Sequence, residues 1–285
     1  MKTEFRPIQL EDKEWVERCR DPKEHPFSAL TFPSLFMWKD DYGLTISGDD
    51  DFFVIHSKEN NGFFAPCGDP DKCLGFLHDT FQKDKQIRVL YVTKEQAFQA
   101  QAAGFRARYS PELSEYICST KALALKEGHI SATYRKKVSR FSRDFAYTAK
   151  VIRQEDIPEL LSIVSDWDKD VEKTGRLDLS AARLSLENYE ALGLSGIVLH
   201  TRDQIAAFSF GFESAPDIYT MSTVKYDKQL SPSVTLVCTK EEAEQVVLSR
   251  YPFCNLEEDL GYPGLRDAKL QCSPVKMQEV FILER

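Results

Sequence analysis

Residues 205–212 read I-A-A-F-S-F-G-F, and Phe208, Phe210 and Phe212 alternate with Ser209 and Gly211. A side-chain period of two is the mark of a strand with one face buried. The pattern extends outward on both sides. Gly196–His200 and Ile218–Lys225 are further apolar runs set off by turn residues, so three consecutive strands are expected. Upstream, Glu155–Lys173 places Ile157, Leu160, Leu161, Val164 and Val171 on one helical stripe. Ser180–Leu192 reads as a second helix stopped by Gly193, and Tyr147–Ile152 as a strand ahead of both. Downstream, the reading is a helix over Ser233–Arg250, a strand at Phe253–Leu256, a short helix over Pro263–Leu270 and a last strand over Val275–Leu283.

The N-terminal half passes through the same order of elements. A short strand at F-R-P-I leads to a helix that carries Trp15, Val16 and Cys19. A second helical stretch from Leu30 to Lys39 is interrupted by Pro33. Strands are expected at Leu44–Ser47, Phe52–His56 and Phe63–Pro66, then a helix over Pro70–Lys83. Ile87–Val92 reads as a strand and Glu95–Ala103 as a helix ended by Gly104; Phe105–Tyr109 and Tyr116–Ser119 close the half as strands. Each half therefore reads β-α-α-β-β-β-α-β-α-β. The expected class is α+β, with two units at residues 1–125 and 126–285. The likeness of the halves lies in element order, not in residue identity. The basic helix Ala132–Asp144 is placed at the junction.

Bulk composition narrows the functional classes. The chain has 285 residues, 42% hydrophobic and 29% charged, the balance of a folded globular protein. No apolar run approaches the roughly 20 residues needed to span a bilayer, and M-K-T-E-F-R-P lacks the apolar core of a secretory signal. The seven cysteines form no C-x-x-C pair, and their odd number argues against a disulfide framework. The five histidines are scattered, with none at i, i+4 from another, so no zinc site is expected. The reading is cytoplasmic. A net charge of −8 argues against a nucleic-acid footprint spread over the whole surface.

Chemistry concentrates in N-L-E-E-D-L-G-Y-P-G-L-R-D-A-K-L, Asn255 to Leu270. Glu257, Glu258 and Asp259 leave a strand end and enter a Gly-Tyr-Pro-Gly turn. Pro263 suits a helix start, and Arg266 and Lys269 then share a helix face. Two readings stay open: a polar site at a strand's carboxyl end, or surface ion pairs that close a loop. A second candidate is the helix at 132–144, where Tyr134, Val138, Phe141 and Phe145 make an apolar face. Arg135, Lys136, Lys137, Arg140 and Arg143 are a local positive cluster on it. It is either a phosphate-binding stripe or an ordinary solvated amphipathic helix.

The Asn255–Leu270 segment resembles the C-terminal motif of the family related to the catalytic domain of phosphatidylglycerol lysyltransferase, Asn-Arg-Glu-Gln-Asp-Leu-Gly-x-Pro-Gly-Leu-Arg-x-Ala-Lys. Asn255, Glu257, Asp259, Leu260, Gly261, Pro263, Gly264, Leu265, Arg266, Ala268 and Lys269 match it; Leu256 replaces the Arg and Glu258 the Gln. S-L-F-M-W-K-D-D-Y around Trp38 and T-Y-R-K-K-V-S-R-F around Arg135 are similar too, with Lys136 where the family has Asn. The resemblance implies two tandem GNAT-like units, akin to Fem-type aminoacyltransferases that draw an amino acid from charged tRNA.

That implication sets the expected chemistry: acyl or aminoacyl transfer to an amine or hydroxyl acceptor. Glu257 or Asp259 would take the proton, and Asn255, Arg266 and Lys269 would contact substrate. Arg135, Lys136 and Arg140 would meet the phosphates of aminoacyl-tRNA or of an anionic lipid. The acceptor is expected to be a small molecule, and no cofactor is required. Acetyl-CoA-dependent GNAT enzymes hold pyrophosphate on a Q/R-x-x-G-x-G/A loop. Here Gln229 is followed by Pro232 where the first Gly belongs, which argues against acyl-CoA. Ser231, Ser233 and Thr235 are left either to help bind an anion or to cap the helix. The rival expectation is a non-catalytic binding or scaffold protein on the same fold.

Overall fold

The computed structural model describes residues 4–83, 86–168, 178–202, 204–227 and 229–284. The chain divides into two compact units, Met1–Glu115 with Gln278–Arg285, and Tyr116–Met277.

The first unit runs β1 (Arg6–Pro7), α1 (Lys13–Cys19), α2 (Phe32–Met37), β2 (Leu44–Asp49), β3 (Phe52–Ser57), β4 (Gly62–Phe64) and β5 (Cys67–Gly68). It continues with α3 (Pro70–Lys83), β6 (Arg88–Val92), α4 (Lys94–Ala102) and β7 (Arg106–Tyr109). Pro33 does not interrupt a helix, as the sequence suggested, but stands in the first turn of α2, where its missing N–H costs nothing. The Thr31 hydroxyl caps that turn by accepting from the Ser34 N–H.

The second unit opens on β8 (Glu115–Ser119), followed by α5 (Thr120–Leu123), α6 (Ala132–Asp144), β9 (Tyr147–Val151), α7 (Ile157–Asp168) and α8 (Asp178–Glu187). Then come β10 (Ser195–Thr201), β11 (Gln204–Ala215), β12 (Ile218–Tyr226), α9 (Val234–Glu242), β13 (Phe253–Asn255), α10 (Pro263–Gln271) and β14 (Lys276–Gln278). The expected single helix over Ser233–Arg250 changes to a π-helical turn at Ala243–Val247. Val171 and the far end of the expected 155–173 helix lie outside the described residues, whereas Ile157, Leu160 and Val164 are buried as the stripe required.

Both sheets are mixed and share one plan. The first has the order β1-β2-β3-β4-β6-β15-β7, where β15 is Phe281–Glu284 and β5 attaches to β3; the second has β14-β8-β13-β12-β11-β10-β9. In each, four antiparallel strands meet a fifth in parallel, β4 with β6 and β12 with β13. The sixth strand then runs antiparallel to the fifth, β15 on β6 and β8 on β13.

The sixth strands correct the sequence reading. Tyr116–Ser119 was expected to close the first half, yet β8 belongs to the second sheet. The expected last strand breaks into β14, at the edge of the second sheet, and β15, inside the first. The division at 125/126 therefore differs from the observed units. Both β8 and β15 are short and apolar, and either would satisfy a sheet's inner face. Only the course of the whole chain selects which sheet each joins. Nor is the basic helix a junction: α6 lies within the second unit, packed on α9. Tyr134, Val138 and Phe141 are buried there, and the Tyr134 hydroxyl donates to Leu123 O at 3.0 Å.

One buried carboxyl gives this unit a pH dependence. Glu242, at the end of α9, is fully buried, and burial pushes its carboxyl up to about 7. Tyr219 has one hydroxyl hydrogen but two oxygens in reach, Ser195 O at 2.5 Å and Glu242 Oε1 at 3.0 Å. A protonated Glu242 that donates to the phenol oxygen satisfies both contacts. Because the folded value lies above the ordinary 4.5, the folded chain holds this proton where the unfolded chain has lost it. Stability is then full below about pH 4.5 and falls as pH rises through about 7. Glu242→Gln is expected to match the wild type in urea titrations at pH 4. At pH 8 it is expected to be more stable, by about 3 kcal/mol. An identical wild-type and variant midpoint at pH 8 would refute this.

Candidate functional site

β12 and β13 lie side by side for only three residue pairs, ending at Thr220 opposite Asn255. Beyond that point β12 continues to Tyr226, while the chain after Asn255 turns away from it. The segment 256–262 follows the end of β13.

This segment is shaped by backbone geometry that the sequence only hints at. Asn255 is buried, and its Oδ1 accepts the Glu257 N–H at 2.8 Å, which folds the chain at once into a turn. Glu257 and Leu260 take left-handed φ values of 60° and 50°, uncommon for residues with side chains. Leu256 N–H still bonds to Tyr116 O at 2.9 Å, so the bend begins inside the β8 ladder.

Asp259 is the anchor of the turn. Its side chain is fully buried, and it accepts Arg266 Nε at 2.8 Å, Arg266 Nη2 at 3.1 Å, the Tyr116 hydroxyl at 2.5 Å and the Gly261 N–H at 2.8 Å. A carboxylate offers about four lone-pair positions, and all are taken. Burial alone would raise its affinity for a proton. The bonds from Arg266, Tyr116 and Gly261 outweigh that and hold the carboxyl below its usual range. Tyr116, pushed up to about 12 by burial and by Asp259, remains a donor. Asp259 was read from sequence as a candidate base; this geometry makes it a positioning group with no lone pair left for a substrate proton.

Lys269 stands one helical turn beyond Arg266. Its ammonium donates to Leu256 O at 2.5 Å and to Glu258 O, and lies 5.9 Å above the Tyr116 ring. It therefore ties α10 to the turn. Arg266 remains exposed along one side of its guanidinium, with a side-chain exposure of 44%. Glu257 is half-buried and accepts the Ser222 hydroxyl from β12 at 3.0 Å. Burial raises the Glu258 carboxyl above its ordinary value, against the pull of Lys269.

Asn255, Glu257, Asp259, Arg266 and Lys269 are thus brought together. Arg135, Lys136 and Arg140 are exposed on α6 and bond to none of them. Arg140 pairs with Asp144, at 3.4 Å. Lys137 and Ser131 instead reach the end of α10, at Gln271 Oε1 (2.7 Å) and Gln271 O (2.6 Å). Sequence reasoning missed Tyr116 and Ser222. Both lie on strands flanking β13, and no local pattern marks them before strand order is known.

The helix that would carry acyl-CoA pyrophosphate is α9. The N–H groups of Val234, Thr235 and Leu236 are already bonded to Ser231 O, Pro232 O and Ser233 O. The Thr235 hydroxyl donates to Pro232 O at 2.8 Å. A pyrophosphate cradle at a helix start is built from free amides.

Two mixed sheets of common order, each with a single parallel pair, define a protein of two GNAT-like α+β units in tandem. The chain belongs to the family described as phosphatidylglycerol lysyltransferase, C-terminal, which it matches over residues 22–284. Among solved structures it is similar to a conserved protein of unknown function from Bacteroides thetaiotaomicron VPI-5482. The identity is 26% and the TM-score 0.85, with 99% of each chain covered. It is also similar to L-PGS from Bacillus licheniformis, at 16% identity and TM-score 0.65 over 98% of this chain and 92% of that one. A tandem GNAT protein from the clavulanic acid biosynthesis pathway aligns at 10% identity and TM-score 0.50, over 99% and 98%. No curated protein matches the sequence. The family is thus named for an aminoacyltransferase, and the solved structures show that the chain shares their fold.

Proposed function

We propose that the second unit transfers an aminoacyl or acyl group from an activated ester to an amine or hydroxyl acceptor, with Glu257 as proton acceptor. The observation that carries this reading is the division of labour among three adjacent carboxylates. Asp259 is fully buried and closed off by four hydrogen bonds, whereas Glu257 is half-buried and meets the Ser222 hydroxyl of β12. In the step itself, the acceptor oxygen or nitrogen attacks the ester carbonyl carbon and its proton passes to Glu257. The carbon–oxygen bond to the donor then breaks, and that proton returns to the leaving oxygen. The open side of Arg266 faces developing negative charge.

The family name joins lysyl transfer to an anionic phospholipid. Charged tRNA as donor and an anionic lipid or small amine as acceptor are therefore the substrates to test, with Arg135, Lys136 and Arg140 as phosphate contacts. Transfer of labelled lysine from lysyl-tRNA is expected to fall about 100-fold or more in Glu257→Gln, with an unchanged melting temperature. Glu258→Gln, which installs the residue of the family pattern, is expected to keep turnover. Wild-type rates in Glu257→Gln would remove that residue from the mechanism.

A scaffold reading has one observation in its favour: Arg266 and Lys269 both spend donors inside the turn. It predicts binding of anionic ligands with no transfer from lysyl-tRNA or acyl-CoA by the wild-type chain.

A further inference from the structure

Strand β9 is the outer strand of the second sheet: it pairs with β10 on one side, and among the described residues no strand pairs along the other. Tyr147–Val151 lie in unbroken register on β10, without a bulge. In an antiparallel ladder, residues whose N–H and C=O meet the neighbour alternate with residues whose groups point away. Ile152 N–H bonds to Gly196 O at 2.9 Å, which fixes the phase. Thr148 and Lys150 therefore spend their backbone groups on β10, and Tyr147, Ala149 and Val151 hold theirs toward the open edge. Val151 is also 42% exposed, a β-branched side chain left in water at that edge. An open, regular edge is a template for another strand unless charge, proline or a bulge blocks it. No proline lies in β9, and its single charged residue, Lys150, is held by Asp156 at 2.6 Å. We propose that β9 is a self-pairing edge, through which two copies of the chain join their second sheets about a two-fold axis at Ala149.

The register itself selects a second copy. Outward groups meet only where Tyr147, Ala149 and Val151 of one chain face those of the other, and antiparallel pairing about Ala149 achieves this along the whole strand. Tyr147 then lies opposite Val151 of the copy, an aromatic beside a β-branched side chain, which is a favourable cross-strand pair. Lys150 lies opposite Thr148, so no like charges face each other within the strand. Beyond the strand the flanks match in sign. Arg143 and Glu155 stand equally far from Ala149 on either side, so an antiparallel copy brings one toward the other, and Asp144 falls likewise beside Arg153. All four are exposed, at 40–76%. The outer strand of the first sheet, β7, lacks this fit, since self-pairing about Ala107 sets Arg106 opposite Arg108.

Self-pairing is independent of Glu257 and of transfer chemistry, because it is read from molar mass. In light scattering at about 100 μM the full chain is expected to approach the mass of a dimer, and to return to a monomer on dilution. Ala149→Pro removes an N–H that the chain's own ladder does not use and sets a ring on the two-fold axis. It is expected to weaken association about tenfold or more, and to melt with the wild type on dilution, where both are single chains. Arg143→Glu is expected to weaken association, and Arg143→Glu/Glu155→Arg to restore it. Ala149→Cys tests the register without a proline. Directly opposed hydrogen-bonded residues have Cα atoms about 5.5 Å apart, within the span of a disulfide. Oxidised glutathione is expected to convert this variant to a covalent dimer, reversed by dithiothreitol, which neither the wild type nor Thr148→Cys forms. A wild type that stays monomeric overturns the proposal and leaves the edge to solvent or to an extended segment of another protein. A dimer that Ala149→Pro leaves intact, or that Ala149→Cys does not cross-link, overturns it as well, by placing the contact elsewhere on the chain.

Discussion

A chain ended after Glu279 is expected to lose its first unit and keep its second. The cut removes β15, the strand that pairs with both β6 and β7 and, among the described residues, alone holds β7 in the first sheet. It also removes Val280, Ile282 and Leu283, each at most 3% exposed. Full burial of three such side chains contributes about 6 kcal/mol, comparable to the whole stability of a typical domain. Hydrogen exchange should then show residues 4–114 unprotected and 116–277 protected. If the C-terminal strand belonged to the second unit, as the sequence read alone suggests, the loss would appear there instead. Full protection in the first unit of the shortened chain would refute the strand assignment.

The second large effect lies in the turn. Asp259→Ala removes the shared acceptor of Arg266, Tyr116 and Gly261, and is expected to cost about 3 kcal/mol. The exposed end of Arg266 can return to water, which keeps the cost toward the lower end of the range for a broken buried pair. The same carboxylate adds an acid limb. Its folded affinity for a proton is depressed, so its stabilisation is present above the ordinary value near 3.8 and is lost as pH falls below it toward the folded value. Asp259→Ala should therefore melt well below the wild type at pH 7 and differ less from it at pH 2.5. Lys269→Met, which keeps the stem and loses the bonds to Leu256 O and Glu258 O, should also melt several degrees lower. Unchanged melting of both variants would show that the turn holds itself without them.

Element existence was legible in the residues because periodicity is a local property. The Phe208–Phe210–Phe212 alternation lies within β11, and the apolar face of the basic helix is buried as Tyr134, Val138 and Phe141. Pro70–Lys83 and Ala132–Asp144 are helices over the same residues that the sequence indicated. The clustering of Asn255, Glu257, Asp259, Arg266 and Lys269 was legible for the same reason, since all lie within fifteen residues of one turn and one short helix.

Strand partners and chemical roles were not legible, because both depend on distant groups. Nothing within Glu115–Ser119 states that it will lie beside Phe253–Asn255, since an apolar strand satisfies any sheet with a matching face. Once it does, Tyr116 meets Asp259 across 143 positions of sequence and, with Arg266 and Gly261, fills its last lone pairs. Ser222 reaches Glu257 for the same reason, through the neighbouring strand β12. From sequence alone Glu257 and Asp259 were equal candidates for the base, and Glu258 was a departure from the family pattern. Tertiary structure made Asp259 an anchor, raised Glu258 by burial, and left Glu257 half-buried against Ser222, because a carboxyl's proton affinity follows its solvation and hydrogen-bond partners.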